Sequence, residues 1–296
     1  MHNIKTVSVV GGDTRQIYTA RRLEEYGFEV RLFGLERFGG GSVLPPRAET
    51  LEQALRCDAV VLPLPCSKNG KTLNAPFAET EIPLREVADL AAPDAVFFTG
   101  MAAENFAKTL SAGGAAVFDY FRDEALTVKN ALLTAEGILG IILEKTNVTV
   151  WRMNAAVTGY GRVGYFLCRA LKALGAEVTV YARNPAQLAK AQTAGLATAR
   201  IDRLPEQTYQ FDVIVNTVPA PVVTAAAVEN ARKDCLLIET AGAPYGVDFD
   251  ACKLYGKELV KAFSLPGRTA PKTAGILIAE TVFGMMKEAN LLWNNP

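Results

Sequence analysis

The chain reads as an α/β protein built from two Rossmann-like, doubly wound parallel-sheet domains joined by long helices. Two observations lead there. Short apolar runs of strand length alternate with segments of helical period through both halves of the 296 residues, the pattern of parallel strands buried on both faces. Each half also opens with a strand that ends in a glycine turn, Gly11-Gly12 in the first and Gly159-x-Gly161-x-x-Gly164 in the second. The length suits two domains of ordinary size. The expected boundaries are a first domain over 1–123, a connecting helix over 124–147, a second domain over 148–268, and a C-terminal helix over 269–296 that returns to the first domain.

In the first domain the pattern predicts strands at 6–10, 28–33, 59–62, 95–98 and 115–118, and helices at 14–26, 49–55, 84–90, 102–111 and 124–144. Five strands suit a flavodoxin-like or an incomplete Rossmann sheet. The first turn, Gly11-Gly12-Asp13-Thr14-Arg15-Gln16, stands where a phosphate loop would stand, but its chemistry differs. Asp13 would face any anion there and no third glycine follows. Asp13, Thr14, Arg15 and Gln16 instead make a polar group at the carboxyl end of the first strand, where open α/β sheets take ligands. The alternative is that Asp13 or Thr14 only caps the following helix. Gly39-Gly40-Gly41-Ser42 is expected to be a flexible loop over a cleft.

The second domain carries the most information. An apolar strand enters Gly159-Tyr160-Gly161-Arg162-Val163-Gly164, a helix follows at once, and a second strand, Glu177-Val178-Thr179-Val180-Tyr181, comes at the right distance. Gly159 permits the tight turn, Gly161 the approach of a pyrophosphate, and Gly164 the packing of helix on strand. The N–H groups at the helix start would hold the phosphates. The alternative, a glycine-rich structural turn, leaves that strand–turn–helix context unexplained. The second strand then ends in Tyr181-Ala182-Arg183-Asn184-Pro185, without the Asp or Glu that accepts the ribose hydroxyls of NAD. Arg183 can pair with a 2′-phosphate and Asn184 can donate an amide, which favours NADP over NAD. The bland alternative makes Arg183 a solvated residue entering the next helix. Apolar runs at 211–219, 235–240 and 258–263 supply further strands, and the turn Asn216-Thr217-Val218-Pro219 is expected beside the nicotinamide ribose. A helix over 271–293, apolar on more than one side, is expected to pack between elements.

Composition narrows the function classes. Thirty-one basic residues balance 31 acidic ones, so neither nucleic acid nor an anionic membrane is expected as a partner. The first residues run directly into a strand, so no signal peptide is expected, and the longest apolar runs are interrupted short of a membrane span. The five cysteines, Cys57, Cys66, Cys168, Cys235 and Cys252, are scattered and odd in number, which suits reduced thiols in a cytoplasmic enzyme. Cys57, Cys168 and Cys235 are expected in the core, and Cys66, in a loop, is the one candidate for reactivity. His2 is the sole histidine. The histidine–carboxylate pair of many hydroxy-acid dehydrogenases therefore has no residues to form it, nor does a zinc site using histidine. No metal is expected.

These motifs in this order resemble the dipicolinate synthase A-subunit family of spore-forming bacteria. The likeness runs through nearly the whole chain: the G-G-D-x-R-Q opening at 11–16, Phe121-Arg122-Asp123-Glu124, Thr134-Ala135-Glu136-Gly137, the glycine turn with Ala182-Arg183 and Asn216-Thr217-Val218-Pro219, and Leu265-Pro266-Gly267-Arg268-Thr269-Ala270-Pro271-Lys272-Thr273-Ala274-Gly275. The last is the most family-specific stretch. The chain departs from the pattern at Leu133, where proline is expected before Thr134, and over 34–50.

The resemblance implies dehydrogenation of a dihydrodipicolinate-type intermediate of lysine biosynthesis to dipicolinic acid, with a flavoprotein-like second component, the synthase's B subunit, as partner, in the mother-cell cytoplasm during sporulation. A homo-oligomer is expected. The small dicarboxylate substrate would need cations for its two carboxylates, for which Arg15 and Arg122 are candidates, with Gln16 beside Arg15 and Lys68 or Lys272 in reserve. For proton transfer the candidates are Asp13, Asp123, Glu136 and Lys272, unranked. Each is as readily a partner in a structural ion pair. Two other readings stay open. One is a different NAD(P)-dependent dehydrogenase, acting on hydroxy acids, amino acids or shikimate-like substrates. The other is a nucleotide-binding subunit inactive without its partner.

Overall fold

The structure, a computed structural model, describes residues 4–39 and 44–292. His2, most of the glycine loop at 39–42 and the end of the expected last helix at Trp293 lie outside the described residues. The chain divides into two compact units, 1–129 with 270–296, and 130–269.

In the first unit β1 (Thr6–Val10), α1 (Thr14–Glu25), β2 (Glu29–Phe33), α2 (Leu51–Leu55), β3 (Ala59–Val61), α3 (Leu84–Asp89), β4 (Val96–Thr99), α4 (Glu104–Ala112) and β5 (Ala116–Asp119) follow in chain order. All strand pairs are parallel, in the order β2-β1-β3-β4-β5. That order is flavodoxin-like, which decides between the two sheets the pattern allowed. Val7, Val9, Val61 and Phe98 face one core while Val10, Val60, Leu62 and Phe97 face another. A strand covered on both sides has no polar face to alternate with, hence its unbroken apolar sequence.

The helix α5 (Glu124–Lys145) leaves this unit. Its residues through Lys129 go with the first unit and those from Asn130 with the second, so the segment expected as a connector is shared between them. Leu126 enters the core of the first unit, and Ala135, Ile138 and Ile142 that of the second. The helix runs unbroken through Leu133, which is buried. With a hydropathy of 1.5 over an 18-residue window, α5 is long and apolar enough to cross a membrane. Lys129, Glu136 and Glu144 nonetheless break its uncharged runs, as expected from the sequence. Part of its apolar surface buries in two successive cores, while Leu132, Leu143 and the charged Lys129, Glu136 and Glu144 are exposed.

The second unit continues with β6 (Asn154–Thr158), α6 (Arg162–Ala173), β7 (Glu177–Ala182), α7 (Pro185–Thr193), β8 (Ala197–Arg200), α8 (Leu204–Gln207), β9 (Val213–Asn216), α9 (Ala225–Asn230), β10 (Leu236–Glu239), α10 (Phe249–Leu254), β11 (Leu259–Lys261) and α11 (Leu265–Thr269). The parallel sheet runs β8-β7-β6-β9-β10-β11, the dinucleotide-binding order 3-2-1-4-5-6. β8 escaped the sequence reading because it is an edge strand, Ala-Thr-Ala-Arg, with no fully buried residue.

The last helix, α12 (Pro271–Glu288), packs on α1 in the first unit. Tyr26 stacks on Phe283 with ring centroids 4.2 Å apart, and the Thr19 hydroxyl donates to the Gly275 carbonyl at 3.0 Å. A Cβ on Gly275 would collide with the Arg15 carbonyl. The family-specific stretch thus ends on a glycine that lets two helices touch at Arg15. α12 is shorter than expected, since Asn290 turns left-handed at φ 55° just beyond it.

Candidate functional site

The strongest site lies at the carboxyl ends of β6 and β9, where the order of the second sheet reverses and ligand crevices form. Gly159 has φ +83°, and a Cβ on it would sit 2.7 Å from Val218 Cγ2 and 3.0 Å from Thr217 Oγ1. A Cβ on Gly164 would collide with the Gly159 carbonyl, whereas one on Gly161 would meet nothing within 4 Å. One glycine therefore makes the turn, another lets the helix close on the strand, and the middle one borders open space. Gly161 is also the N-cap of α6 and leaves the helix start without a side-chain cap. N–H groups at the positive end of a helix dipole, with no side-chain cap and beside open space, fit a pyrophosphate.

The space is a cavity of about 800 Å³ lined by Gly159, Gly161, Arg162 and Val163 from the glycine turn, Tyr181 to Asn184 from the end of β7, and Thr217 to Pro219 with residues 220–222 from the turn after β9. Its size falls in the range of cofactor sites. No carboxylate lines it. Arg183 is exposed and pairs with no acid among the described residues. Asn184 caps α7, its Oδ1 accepting from the Ala186 N–H at 2.9 Å, which leaves its amide nitrogen for a ligand. Tyr160 and Gly164 do not line the cavity. Tyr160 packs into the core with its ring edge on Tyr165, 5.9 Å between centroids.

Gln187, Ile201 and Glu239 escaped the sequence reading. Gln187 lines the cavity, and its Oε1 accepts from the Tyr160 N–H at 3.2 Å. It stands three residues after the Asn184 cap, a spacing that reads as a capping box. Ile201, at the start of the short helix after β8, also lines the cavity and could not be placed without that strand. Glu239, at the end of β10, is fully buried and accepts from Asn216 Nδ2 at 2.7 Å and from the N–H groups of Ala241, Gly246 and Val247 at 2.8 Å each.

In the first unit Asp13 caps α1, accepting from the Arg15 N–H at 3.1 Å. The Arg15 guanidinium grips both oxygens of the same carboxylate, at 2.9 and 2.8 Å, and also donates to the Leu64 carbonyl. Arg15 is only 5% exposed. Gln16 is buried with its Nε2 unpartnered, folded over Gly12, where a Cβ would collide with its side chain. These residues meet at the carboxyl ends of β1 and β3, the reversal point of this sheet. Lys68 lines a cavity of about 400 Å³ with Arg37 and Asn74. Arg122 is solvent-exposed, with its Nε 3.9 Å from Asp119, and lines another cavity of about 360 Å³ with Thr99 and Lys108. Asp123 caps the start of α5, taking the Leu126 N–H at 2.6 Å. Glu136 and Lys272 are exposed. The proton-transfer candidates therefore comprise two helix caps and two surface residues.

Cys66 lies in a loop as expected but is buried there, and burial pushes its thiol up to about 12, with Asp119 adding to the shift. At neutral pH it is protonated and unreactive. Cys168 and Cys235 are in the core as expected, whereas Cys57 is only partly buried. Among the described residues no cluster of His, Cys, Asp and Glu suits a metal ion.

Residues 6–121 match the family described as the N-terminal domain of the dipicolinate synthase A subunit. Residues 143–250 match "D-isomer specific 2-hydroxyacid dehydrogenase, NAD binding domain". The chain is 27% identical to the dipicolinate synthase A subunit of Bacillus subtilis over 284 residues, 95% of this chain and 96% of the relative. The dipicolinate synthase A subunit from Bacillus halodurans superposes with a TM-score of 0.84 at 26% identity, covering 97% of this chain and 99% of that one. A transhydrogenase from Sinorhizobium meliloti, 16% identical with a TM-score of 0.71 over 96% of this chain and 94% of its own, shares the fold. The second unit is a dehydrogenase-type domain for a nicotinamide cofactor.

Proposed function

We propose that this chain, which belongs to the dipicolinate synthase A-subunit family, is an NADP-dependent oxidoreductase that dehydrogenates a dihydrodipicolinate-type intermediate to dipicolinic acid. The observation that carries the cofactor reading is the cavity at the carboxyl ends of β6 and β9, with an uncapped helix start at one end and unpaired Arg183 at the other. The glycine turn holds the pyrophosphate on backbone N–H groups, and Arg183 with the Asn184 amide takes the 2′-phosphate.

A nicotinamide held there would supply the hydride acceptor for a saturated carbon of the substrate ring. The chain's own residues fix the ring and remove the proton. Arg15, Gln16, Lys68 and Arg122 are the candidates for the two carboxylates. Arg15 is held rigid by Asp13, and the unpartnered amide of Gln16 is a second donor in the same turn. The proton acceptor comes from Asp13, Asp123, Glu136 or Lys272. The partner is the synthase's flavoprotein-like B subunit, the assembly contains more than one copy of this chain, and the setting is the mother-cell cytoplasm during sporulation. A hydroxy-acid substrate is disfavoured because His2 is the chain's sole histidine.

Calorimetric titration with NADPH and NADH tests the cofactor, and heat from neither would overturn this reading. Formation of reduced nicotinamide from the dihydro substrate, with and without the flavoprotein-like partner, tests the reaction. Arg15→Ala and Arg122→Ala should each lower kcat/KM well beyond about twofold, and two unaffected variants would overturn the carboxylate assignment.

A further inference from the structure

The turn after β9 borders the cofactor cavity, and its shape depends on a side chain that does not line that cavity. Asn216 is fully buried. Its Oδ1 accepts from the Thr158 hydroxyl at 2.6 Å and the Val218 N–H at 3.2 Å, and its Nδ2 donates to the Val218 carbonyl at 3.0 Å and to Glu239 at 2.7 Å. One carboxamide thus holds both backbone groups of Val218, the residue that rests against Gly159. An amide in such a position has two orientations related by a flip. Only one puts its nitrogen toward the acceptor-only carboxylate of Glu239.

We propose that Glu239 is a positioning residue for the nicotinamide end of the cofactor site: it sets the orientation of Asn216 and so the place of Thr217 and Val218 against the glycine turn. The proposal rests on the nicotinamide reading of the cavity. The remaining acceptor positions of Glu239 take the N–H groups of Ala241, Gly246 and Val247. The carboxylate therefore joins the turns after β9 and β10 at the end of the sheet where the cavity opens. Glutamine cannot replace it without loss. In one orientation its NH₂ faces the Asn216 amide and the Ala241 N–H, and in the other it faces the N–H groups of Gly246 and Val247. Accepted bonds are lost either way, and a neutral amide oxygen left towards Asn216 selects its orientation less strongly than a carboxylate. Gly246 offers an independent approach, since a Cβ there would collide with the Asn216 amide.

The test compares a whole dinucleotide with its adenine end. Affinities for NADPH and for adenosine 2′,5′-bisphosphate are measured by calorimetry in the wild type, Glu239→Gln and Gly246→Ala, with circular dichroism as the check on folding. If the wild type prefers NADH, the pair becomes NADH and AMP. Both variants should bind the dinucleotide about tenfold more weakly, the effect of one lost hydrogen bond to a charged group. The adenine fragment should bind within about twofold of wild type. Unchanged dinucleotide affinity in a folded variant overturns the proposal. Equal weakening of both ligands also overturns it, because it marks a general scaffold. Should Glu239→Gln fail to fold, Gly246→Ala decides alone. A wild type that binds neither dinucleotide removes the cofactor reading itself, an outcome seen before any variant is made.

Discussion

The turns after β1 and β6 occupy the same place in their sheets, and one is filled while the other is open. After β1, Gly11 and Gly12 take φ +69° and +93°, Asp13 caps the helix, Arg15 grips Asp13 and Gln16 folds over Gly12. After β6, the helix start is uncapped and Gly161 borders empty space. A helix N-terminus attracts negative charge whatever its source. In the first unit the chain supplies that charge itself from Asp13, so an external phosphate has no vacancy there. In the second no side chain caps the helix start. The same topological position thus becomes a rigid polar platform in one lobe and a helix start open to a ligand in the other.

The largest expected effect of removing the built-in charge falls on stability. Asp13→Ala strips the cap and leaves the Arg15 guanidinium buried without its acid. Breaking a buried pair and losing an N-cap together should cost about 3 kcal/mol or more, since Asp13 lies in a partly buried position. Denaturant titration measures it, and a loss under about 1 kcal/mol would mean that the pair is not what fills the first turn.

Next in size is the contrast inside the second turn. Gly164→Ala drives a Cβ into the Gly159 carbonyl and should destabilise by about 1–3 kcal/mol. Gly161→Ala meets nothing in the protein, so its melting temperature should stay near that of the wild type while dinucleotide affinity falls. If Gly161→Ala binds NADPH normally, the open space is not where the pyrophosphate sits. At the far end of the cavity, Arg183→Ala should weaken NADPH by about 1–3 kcal/mol and leave NADH nearly unchanged. Equal affinities of the wild type for the two would remove the 2′-phosphate contact.

The smallest effect concerns three of the four buried thiols, one of them in the first unit and two in the second. Burial pushes Cys66, Cys168 and Cys235 up to about 12 from an ordinary 9.0. A folded-state pKa above the unfolded one means that the native protein holds protons the unfolded chain releases. Stability from these groups is therefore complete below the ordinary thiol pKa and declines as pH rises from there towards the folded value. The melting temperature should fall progressively above pH 9, and substitution of all three by Ala or Ser should flatten that part of the profile. Alkylation of Cys66 in the native protein should be negligible at neutral pH.

Strand positions, the two-sheet architecture and the glycine turn were legible because they rest on local chemistry: apolar runs for strands covered on both faces, and glycines where a turn, an approach or a close packing forbids a Cβ. The place of Arg183 directly after β7, where an acid is ordinarily found, was legible for the same reason. The roles of Asp13 and Arg15 were only half visible, since i and i+2 in a turn can pair with each other or with a ligand. Gln187 shows the limit well. Its spacing from Asn184 signals a helix cap, yet its side chain reaches the Tyr160 N–H, 27 residues away in sequence. Glu239 and Asn216 lie 23 residues apart on neighbouring strands, and nothing in either local sequence announces their bond. Local spacing decides backbone conformation, because its causes lie within a few residues. Which acceptor a buried donor finds is decided by strand order and register, which bring distant residues within 3 Å. The nicotinamide-binding domain was therefore readable from the chain, and the groups that hold its cavity in shape became apparent only in the folded molecule.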